Sequence, residues 1–275
     1  MNSVMNSVWA VCALMTMVVS YAHAQDSGSV VPIVAAHGLV LGGSRGGKWL
    51  SSKQVSPFLK SGAKYRFYTL KGYDRTSVGS KADQDEDGGG GYFVTFPESE
   101  RKVDRNGIGL GGSWNPMPRL PRMESTHQKI YLDAVATLLK AKGLAGATPN
   151  ITRLMRVDLQ GKGQDAVLIE AASPDYRLAT GSGGDLPRQN SYSFVMLRMI
   201  SDGALQTFFL DGVFYKSAHT TGAASQHLIA NVIDLNGDGV LEIVLNTRYY
   251  ESSGTTVYEV KSGSPKIVIG AGSGN

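Results

Sequence analysis

The second half of the chain consists of short runs in which apolar and polar positions alternate, separated by turn residues. Alternation with period two, in segments rich in β-branched and aromatic residues, is typical of strands that bury one face. Turn signals such as Asp202-Gly203 join successive runs and favour antiparallel pairing. The eight predicted strands are Ile151 to Leu159, Ala166 to Ala171, Ser191 to Ile200, Leu205 to Leu210, His227 to Leu235, Leu241 to Tyr250, Thr255 to Val260 and Lys266 to Ile269.

These eight strands form two similar units. Asp158 and Asp234 open equivalent loops 76 residues apart, and the strand after each loop keeps the same offset. We therefore predict two tandem four-stranded antiparallel sheets, at about 150–215 and 226–270. Two units are too few to close a ring, so we expect two packed antiparallel sheets whose open faces are covered by the N-terminal region and by a helix from Ser125.

One segment has the periodicity of a helix instead. Ser125 and Gln128 form a capping-box pair at its start, and Gly143 is placed to end it. The sequence thus predicts one long helix from Ser125, the first element of a C-terminal region at 125–275. Its apolar residues recur at the spacing of a helix packed on one side: Tyr131, Ala134, Val135, Leu138 and Leu139.

The region at 25–124 is less regular, and we predict a small mixed α/β unit with glycine-rich loops. Together with the tandem sheets, this makes the fold class mainly β. A stretch rich in proline, glycine and charge, from Pro97 to Arg122, is predicted to be a connector. The expected elements are β-rich Val30 to Leu41, a short helix near Ser51 to Leu59, and strands at Lys64 to Leu70 and Tyr92 to Phe96.

The first 24 residues have the features of a secretory signal. They contain no Asp, Glu, Lys or Arg, and an apolar run from Val8 to Val19 precedes the cleavage triplet Ala22-His23-Ala24. This run of about 12 residues is shorter than the ~20 that a membrane-spanning helix needs. We expect cleavage after Ala24, a secreted or periplasmic location, and no membrane span in the mature chain.

Composition narrows the possible functions. The only cysteine, Cys12, lies in the predicted signal, so the mature chain would have no disulfides and no cysteine ligands or nucleophiles. The 27 Lys and Arg and 23 Asp and Glu residues are intermixed without a basic run, so nucleic-acid binding is not expected. The 34 glycines exceed the usual ~7% of residues and favour a β fold rich in turns.

The loop from Asp234 to Glu242 is the strongest candidate site. Calcium takes six to eight oxygen ligands, and Gly237 and Gly239 allow the bends that aim them inward. An EF-hand does not fit, because Leu245 stands at its twelfth position and a strand follows. The candidate ligands at positions 1, 3, 5, 7 and 9 are Asp234, Asn236, Asp238, the carbonyl of Val240, and Glu242.

The pattern D-x-N-G-D-G-x-x-E followed by an apolar strand resembles the calcium loop of FG-GAP and VCBS-type repeats. The resemblance covers the tandem units and implies propeller-blade-like sheets, one calcium ion, and a secreted or surface protein. The whole chain is also similar to uncharacterised exported bacterial proteins, a likeness that implies no activity.

The equivalent loop of the first unit lacks most of the candidate ligands. It keeps Asp158 but has Gln160, Lys162 and Ala166 at positions 3, 5 and 9. We predict that this loop is metal-free and that the Lys162 ammonium takes the ion's place beside Asp158. The alternative for both loops is a turn that needs Asp and Gly for backbone reasons alone.

A third acidic segment, Asp83 to Asp87, has similar spacing but no residue to complete a metal shell. We expect a solvated loop there.

Two motifs suggest catalysis. Gly42-Gly-Ser44-Arg-Gly46 matches the nucleophile elbow of serine hydrolases, and His219 or His227 follows in the required order. The hydrolase fold that carries this elbow, however, needs strands that alternate with helices. An overlapping match to the phosphate-binding loop of nucleotide-binding proteins fails, because Trp49 stands where that motif has the Ser or Thr that binds magnesium.

The sequence therefore favours an exported, non-enzymatic binding or structural module with one calcium-braced repeat. Its ligand would be an extracellular or periplasmic protein or carbohydrate, for which the pair Tyr249-Tyr250 is one candidate platform. The alternative is an exported serine hydrolase that uses Ser44.

Overall fold

The computed structural model describes residues 28–85, 90–97, 104, 106–174, 176, 187–217, 224–249, 252–261 and 263–274. The predicted signal at 1–24 lies outside them. In chain order the elements are β1 Val31–Ala35, β2 Val40–Arg45, β3 Lys48–Ser51, α1 Ser52–Val55, β4 Ala63–Thr69, β5 Gly72–Gly79, β6 Asp83–Gln84, β7 Tyr92–Phe93, β8 Ile108–Leu110, β9 Arg122–Met123, α2 Lys129–Ala141, β10 Ile151–Val157, β11 Ala166–Ala172, β12 Ser191–Ser201, β13 Ala204–Tyr215, β14 Gln226–Ile233, β15 Glu242–Arg248, β16 Ser252–Lys261 and β17 Ser264–Gly274, with a 3₁₀ turn at Ser56–Phe58 after α1.

The strands form three main sheets, and the strand pairings within the described residues are antiparallel. Their orders are β3-β2-β1-β8-β4-β5, then β13-β12-β11-β10-β9, then β14-β15-β16-β17, with β6 and β7 as a separate pair. No sheet closes on itself within the described residues. The prediction of a mainly β fold is confirmed, and each of the eight strands predicted after Thr148 is present.

The N-terminal region differs from the mixed α/β unit that we predicted. Six of its nine described strands form one antiparallel sheet, and α1 is a single turn capped by Ser51. Strand β8 comes from the predicted connector, yet it lies between β1 and β4 in the middle of this sheet. Three buried residues are too short a run to show the alternation that identifies a strand in sequence.

The prediction of one long helix from Ser125 is wrong. Helix α2 has 13 residues, and its N-cap residue, Gln128, makes no capping bond through its side chain. The amide of Glu124 still donates to Leu154 O, so β-type pairing holds the chain extended close to the predicted cap. The C-terminal end follows the prediction, because Gly143 adopts a φ of 84° and its amide donates to Lys140 O.

The sheets stack face to face, and their packing explains the pattern of burial. One core cluster joins the sheet of β10–β13 to the sheet of β14–β17, and a second joins the latter to the N-terminal sheet. A third cluster covers the outer face of the β10–β13 sheet with α2. The sheet of β14–β17 is therefore buried on both sides, and the expected covering of the open faces by the N-terminal region and the helix is confirmed.

Within the part of the chain that the structure describes, no helix has the length and apolar character needed to cross a membrane.

Candidate metal site

The loop between β14 and β15 is organised by one buried carboxylate. Asp234 is fully buried, and its two oxygens accept hydrogen bonds from the amides of Gly237 at 2.7 Å and Gly239 at 2.9 Å. Both glycines have a positive φ, +79° and +83°, which other residues adopt at a cost. Asp234 thus holds the loop in shape before any ligand is considered.

The first unit forms a similar turn. Asp158 accepts from the amides of Lys162 at 3.1 Å and Gly163 at 2.7 Å, and Gly161 and Gly163 have φ values of 69° and 76°. This loop shape therefore does not require the acidic residues at positions 5 and 9. The backbone explanation for the Asp and Gly pattern holds for both loops, and a cation site needs separate evidence.

The Lys162 ammonium is not where we predicted it. Lys162 is exposed, and among the described ion pairs none joins it to Asp158, which it contacts through its backbone amide. Burial alone would raise the pKa of Asp158, but the backbone hydrogen bonds and the nearby Arg119 guanidinium hold that pKa below its usual value. Arg119, rather than Lys162, is the cation that supports this carboxylate.

In the second unit, three carboxylates converge at the loop. One oxygen each from Asp238, Glu242 and Glu259 lies within 4.8 Å of the others. Glu242 is the first residue of β15, and the register that pairs Ile243 with Tyr258 places Glu259 of β16 opposite it. Two negative charges directly opposite each other on adjacent strands destabilise a sheet unless a cation lies between them.

Glu242 is the residue whose surroundings are incomplete. Its Oε2 accepts from the amide of Leu235 at 2.7 Å, whereas Oε1 is buried and has no hydrogen-bond partner within the part of the chain that the structure describes. Burial, together with the charges of Asp234, Asp238 and Glu259, raises the pKa of Glu242 well above its usual value despite the bond from Leu235. A buried carboxylate in this situation takes up either a proton or a cation.

A lysine already neutralises part of the cluster. The ammonium of Lys261 lies 2.7 Å from Asp238 Oδ2 and 2.7 Å from Glu259 Oε1. Burial opposes its charge, but these two carboxylates raise the pKa of Lys261. Glu259 Oε1 also accepts from the indole of Trp49 at 3.0 Å, so the cluster is connected to the N-terminal sheet.

The structure brings together only part of the predicted ligand set. Asp238 and Glu242 meet, and they are joined by Glu259, which sequence reasoning missed. The side-chain oxygen of Asn236 accepts from the Asp238 amide at 3.0 Å, and the Val240 amide donates to Asp238 Oδ1 at 2.9 Å. The full set of Asp234, Asn236, Asp238, Val240 and Glu242 remains a prediction.

The predicted connector wraps around both loops. Trp114 donates to Asp234 O at 2.9 Å, and Pro116 O accepts from the Asp234 amide at 2.8 Å. Arg119 spans the two loops, since its guanidinium donates to Asp158 O and to Gly239 O, each at 2.7 Å. The segment that composition marked as irregular is thus the one that fixes the loops relative to each other.

Replacing Arg119 with Lys should lower the free energy of unfolding by about 1–3 kcal/mol. The planar guanidinium donates to carbonyls in both loops at once, which a single ammonium cannot do. Urea unfolding measures this. Arg122→Lys is the control, because Arg122 is exposed and its contact is an ion pair with Asp165; its change should stay within about 0.5 kcal/mol. Equal losses in the two variants would contradict the bridging role.

The other predicted sites contribute little. Asp83 belongs to the short strand β6, while Asp87 lies outside the described residues. Ser44 is 2% exposed within β2 and pairs with Trp49 of β3, so the turn into a helix that a nucleophile elbow requires is absent there. Tyr249 is 49% exposed, and Tyr250 lies outside the described residues.

Comparison with protein-family models found no match to this chain, and comparisons with curated proteins and with solved structures also found none.

Proposed function

We propose that the protein is an exported binding or structural module in which one calcium ion braces the sheet of β14–β17. The observation that carries this proposal is the buried Oε1 of Glu242, which has no hydrogen-bond partner among the described residues and belongs to a carboxylate clustered with those of Asp238 and Glu259. The resemblance of the Asp234 to Glu242 loop to FG-GAP and VCBS-type repeats supports it.

The donor set favours a hard cation. The clustered groups are carboxylates, which suit calcium, magnesium or manganese better than zinc or copper. Calcium is preferred to magnesium because it tolerates irregular geometry and many protein oxygens, whereas magnesium usually keeps several waters. Asp238, Glu242 and Glu259 would hold the ion, and Asn236 and the Val240 carbonyl are the additional loop ligands predicted from the sequence.

The ion would act as a brace. It would neutralise carboxylates that face each other across β15 and β16 and would tie these strands to the loop after β14. Trp49 and Trp114 contact Glu259 and Asp234, so the ion would also stabilise the junction with the N-terminal region. The surfaces left free would bind the ligand, which we propose to be an extracellular or periplasmic protein or carbohydrate.

Calorimetric titration of calcium into the metal-stripped mature chain tests the proposal. We expect one site in the wild type and none in Asp238→Ala. Lys162→Ala is the matched control: it alters position 5 of the twin loop, where two carboxylates would still be absent, so it should keep one site. No binding heat in the wild type, or an unchanged isotherm in Asp238→Ala, would contradict the assignment.

Intrinsic fluorescence provides a second signal from the same site. The chain has three tryptophans, of which Trp9 lies in the predicted signal. The other two, Trp49 and Trp114, both contact the loop or its carboxylates. Calcium should therefore change the emission of the mature protein at the concentration where calorimetry detects binding, and Asp238→Ala should remove that change.

A further inference from the structure

A second polar constellation lies between the two tandem sheets. Ser225 and His227 stand two residues apart at the start of β14, a spacing that places side chains on the same side of an extended segment. Asp211 belongs to β13 in the neighbouring sheet, just beyond the point where the pairing of β12 with β13 shifts its register. The packing of the sheets brings these three residues together.

The three side chains are ordered as in a nucleophile–base–carboxylate relay. Ser225 Oγ lies 3.3 Å from His227 Nε2, and His227 Nδ1 lies 3.1 Å from Asp211 Oδ2. The carboxylate therefore contacts one ring nitrogen and the hydroxyl contacts the other. This is the arrangement that activates a serine hydroxyl in unrelated folds.

Neighbouring groups hold this arrangement in place. The Thr247 hydroxyl donates to Asp211 Oδ2 at 3.0 Å, and Ser193 Oγ accepts from the His227 amide at 2.9 Å. Burial alone would raise the pKa of Asp211, but the hydrogen bonds from His227 and Thr247 keep that pKa below its usual value. An ionised carboxylate only accepts hydrogen bonds, so a neutral His227 ring that bonds to Asp211 carries its proton on Nδ1, and its Nε2 accepts from Ser225.

The backbone of Ser225 is held from both sides. Its amide donates to the Tyr215 hydroxyl at 3.2 Å, and its carbonyl accepts from the Tyr176 hydroxyl. Ser225 and His227 are 5% and 4% exposed, whereas the side chain of Asp211 is 33% exposed. Ser225 and His227 are thus shielded from water, and Asp211 is the member of the site that solvent reaches.

We propose that Ser225, His227 and Asp211 form a hydrolytic site for small acyl esters, independent of the calcium loop. Ser225 Oγ attacks the ester carbonyl carbon while His227 Nε2 takes the hydroxyl proton. The bond to the alcohol oxygen then breaks, and the departing alcohol receives that proton, which leaves an acyl-serine. Water attacks the acyl-serine, gives a proton to Nε2 and releases the acid, and the proton returns to Ser225 Oγ.

Labelling of the wild-type mature chain with a fluorophosphonate probe tests the nucleophile without a variant. Peptide mass spectrometry should locate one adduct, on Ser225. No adduct on folded protein, or an adduct on another serine, overturns the proposal. The experiment is run in chelator as well, where labelling should persist, so that its outcome is separate from that of the calcium proposal.

Hydrolysis of p-nitrophenyl acetate tests the relay. Ser225→Ala should lower the rate at least about 100-fold, and Asp211→Asn should also lower it, because the amide no longer holds the required ring tautomer. Ser44→Ala should leave the rate unchanged, and circular dichroism checks the fold of each variant. A folded Ser225→Ala protein with wild-type activity would overturn the assignment, as would a loss of activity in Ser44→Ala.

Discussion

Glu242→Gln is expected to abolish the response of the protein to calcium and to make the calcium-free form more stable at neutral pH. In the wild type, calcium at 100 times its dissociation constant should add about 2.7 kcal/mol to the free energy of unfolding. The amide in Glu242→Gln removes an anionic ligand, so this increment should disappear. It also removes a buried charge that faces Asp238 and Glu259 across the cluster.

The effect should depend on pH with a definite sign. Because burial raises the folded-state pKa of Glu242 above its ordinary value of 4.5, its contribution to stability is fully present below that value. The contribution is lost as the pH rises through the raised pKa. Calcium-free wild-type protein should therefore lose stability relative to Glu242→Gln above about pH 4.5.

Urea unfolding at several pH values, with chelator and with calcium, measures both effects. Glu124→Gln is the control, because it makes the same chemical change in a carboxylate near Arg156 rather than in the cluster. This control should keep the calcium increment. A full calcium increment in Glu242→Gln, or a calcium-free form less stable than the wild type at neutral pH, would contradict the site.

Glu170→Ala is expected to destabilise the protein by about 1–3 kcal/mol, the usual cost of leaving a buried hydrogen-bonding group without its charged partner. Glu170 is 5% exposed, and its Oε2 lies 3.3 Å from Arg153 Nη1. The same oxygen accepts from the Ile229 amide at 3.0 Å, and Arg153 donates to Ile229 O at 2.7 Å. Glu170 and Arg153 thus satisfy the backbone of a neighbouring sheet.

The location of this contact explains the size of the expected loss. The pairing of β14 with β15 shifts its register between Ile229 and Asn231, and at this irregularity the backbone groups of Ile229 bond to Arg153 and Glu170. Without Glu170, the buried Ile229 amide and the Arg153 guanidinium would both lose a partner.

Asp133→Ala is the matched comparison for Glu170→Ala. Asp133 also forms an ion pair, 2.6 Å from Lys129, but both side chains are exposed on α2. Its loss should cost no more than about 0.5 kcal/mol. Urea unfolding compares the two variants, and similar losses would show that the Glu170 network contributes no more than a surface pair.

Much of the β architecture could be predicted because its signals are local. Alternation with period two marks one buried face whatever a strand packs against, and this identified the eight strands after Thr148. The Asp234 turn is also local, since its oxygens bond to amides three and five residues along the chain. The predicted helix start failed because pairing near Glu124 competed with the capping pattern at Ser125.

The candidate sites depended on contacts between distant segments. Glu259 lies beside Glu242 only because of the register of β16 on β15, in which a shift of one residue would turn it to the other face. Arg119 could not be assigned to the loops while the connector lacked a predicted structure. The serine that lies beside His227 is Ser225, which no sequence motif marks, whereas the elbow motif lies at Ser44.

The sequence by itself therefore determined the eight strands after Thr148, the tandem units and the shape of the Asp234 loop, because periodicity and short-range hydrogen bonds act within a few residues. Only the tertiary structure decided which side chains share a site. It placed Glu259 opposite Glu242, and it brought Asp211 of one sheet to His227 of the next. Strand register and sheet stacking determine which of these side chains come into contact, and neither can be deduced from any single segment of the chain.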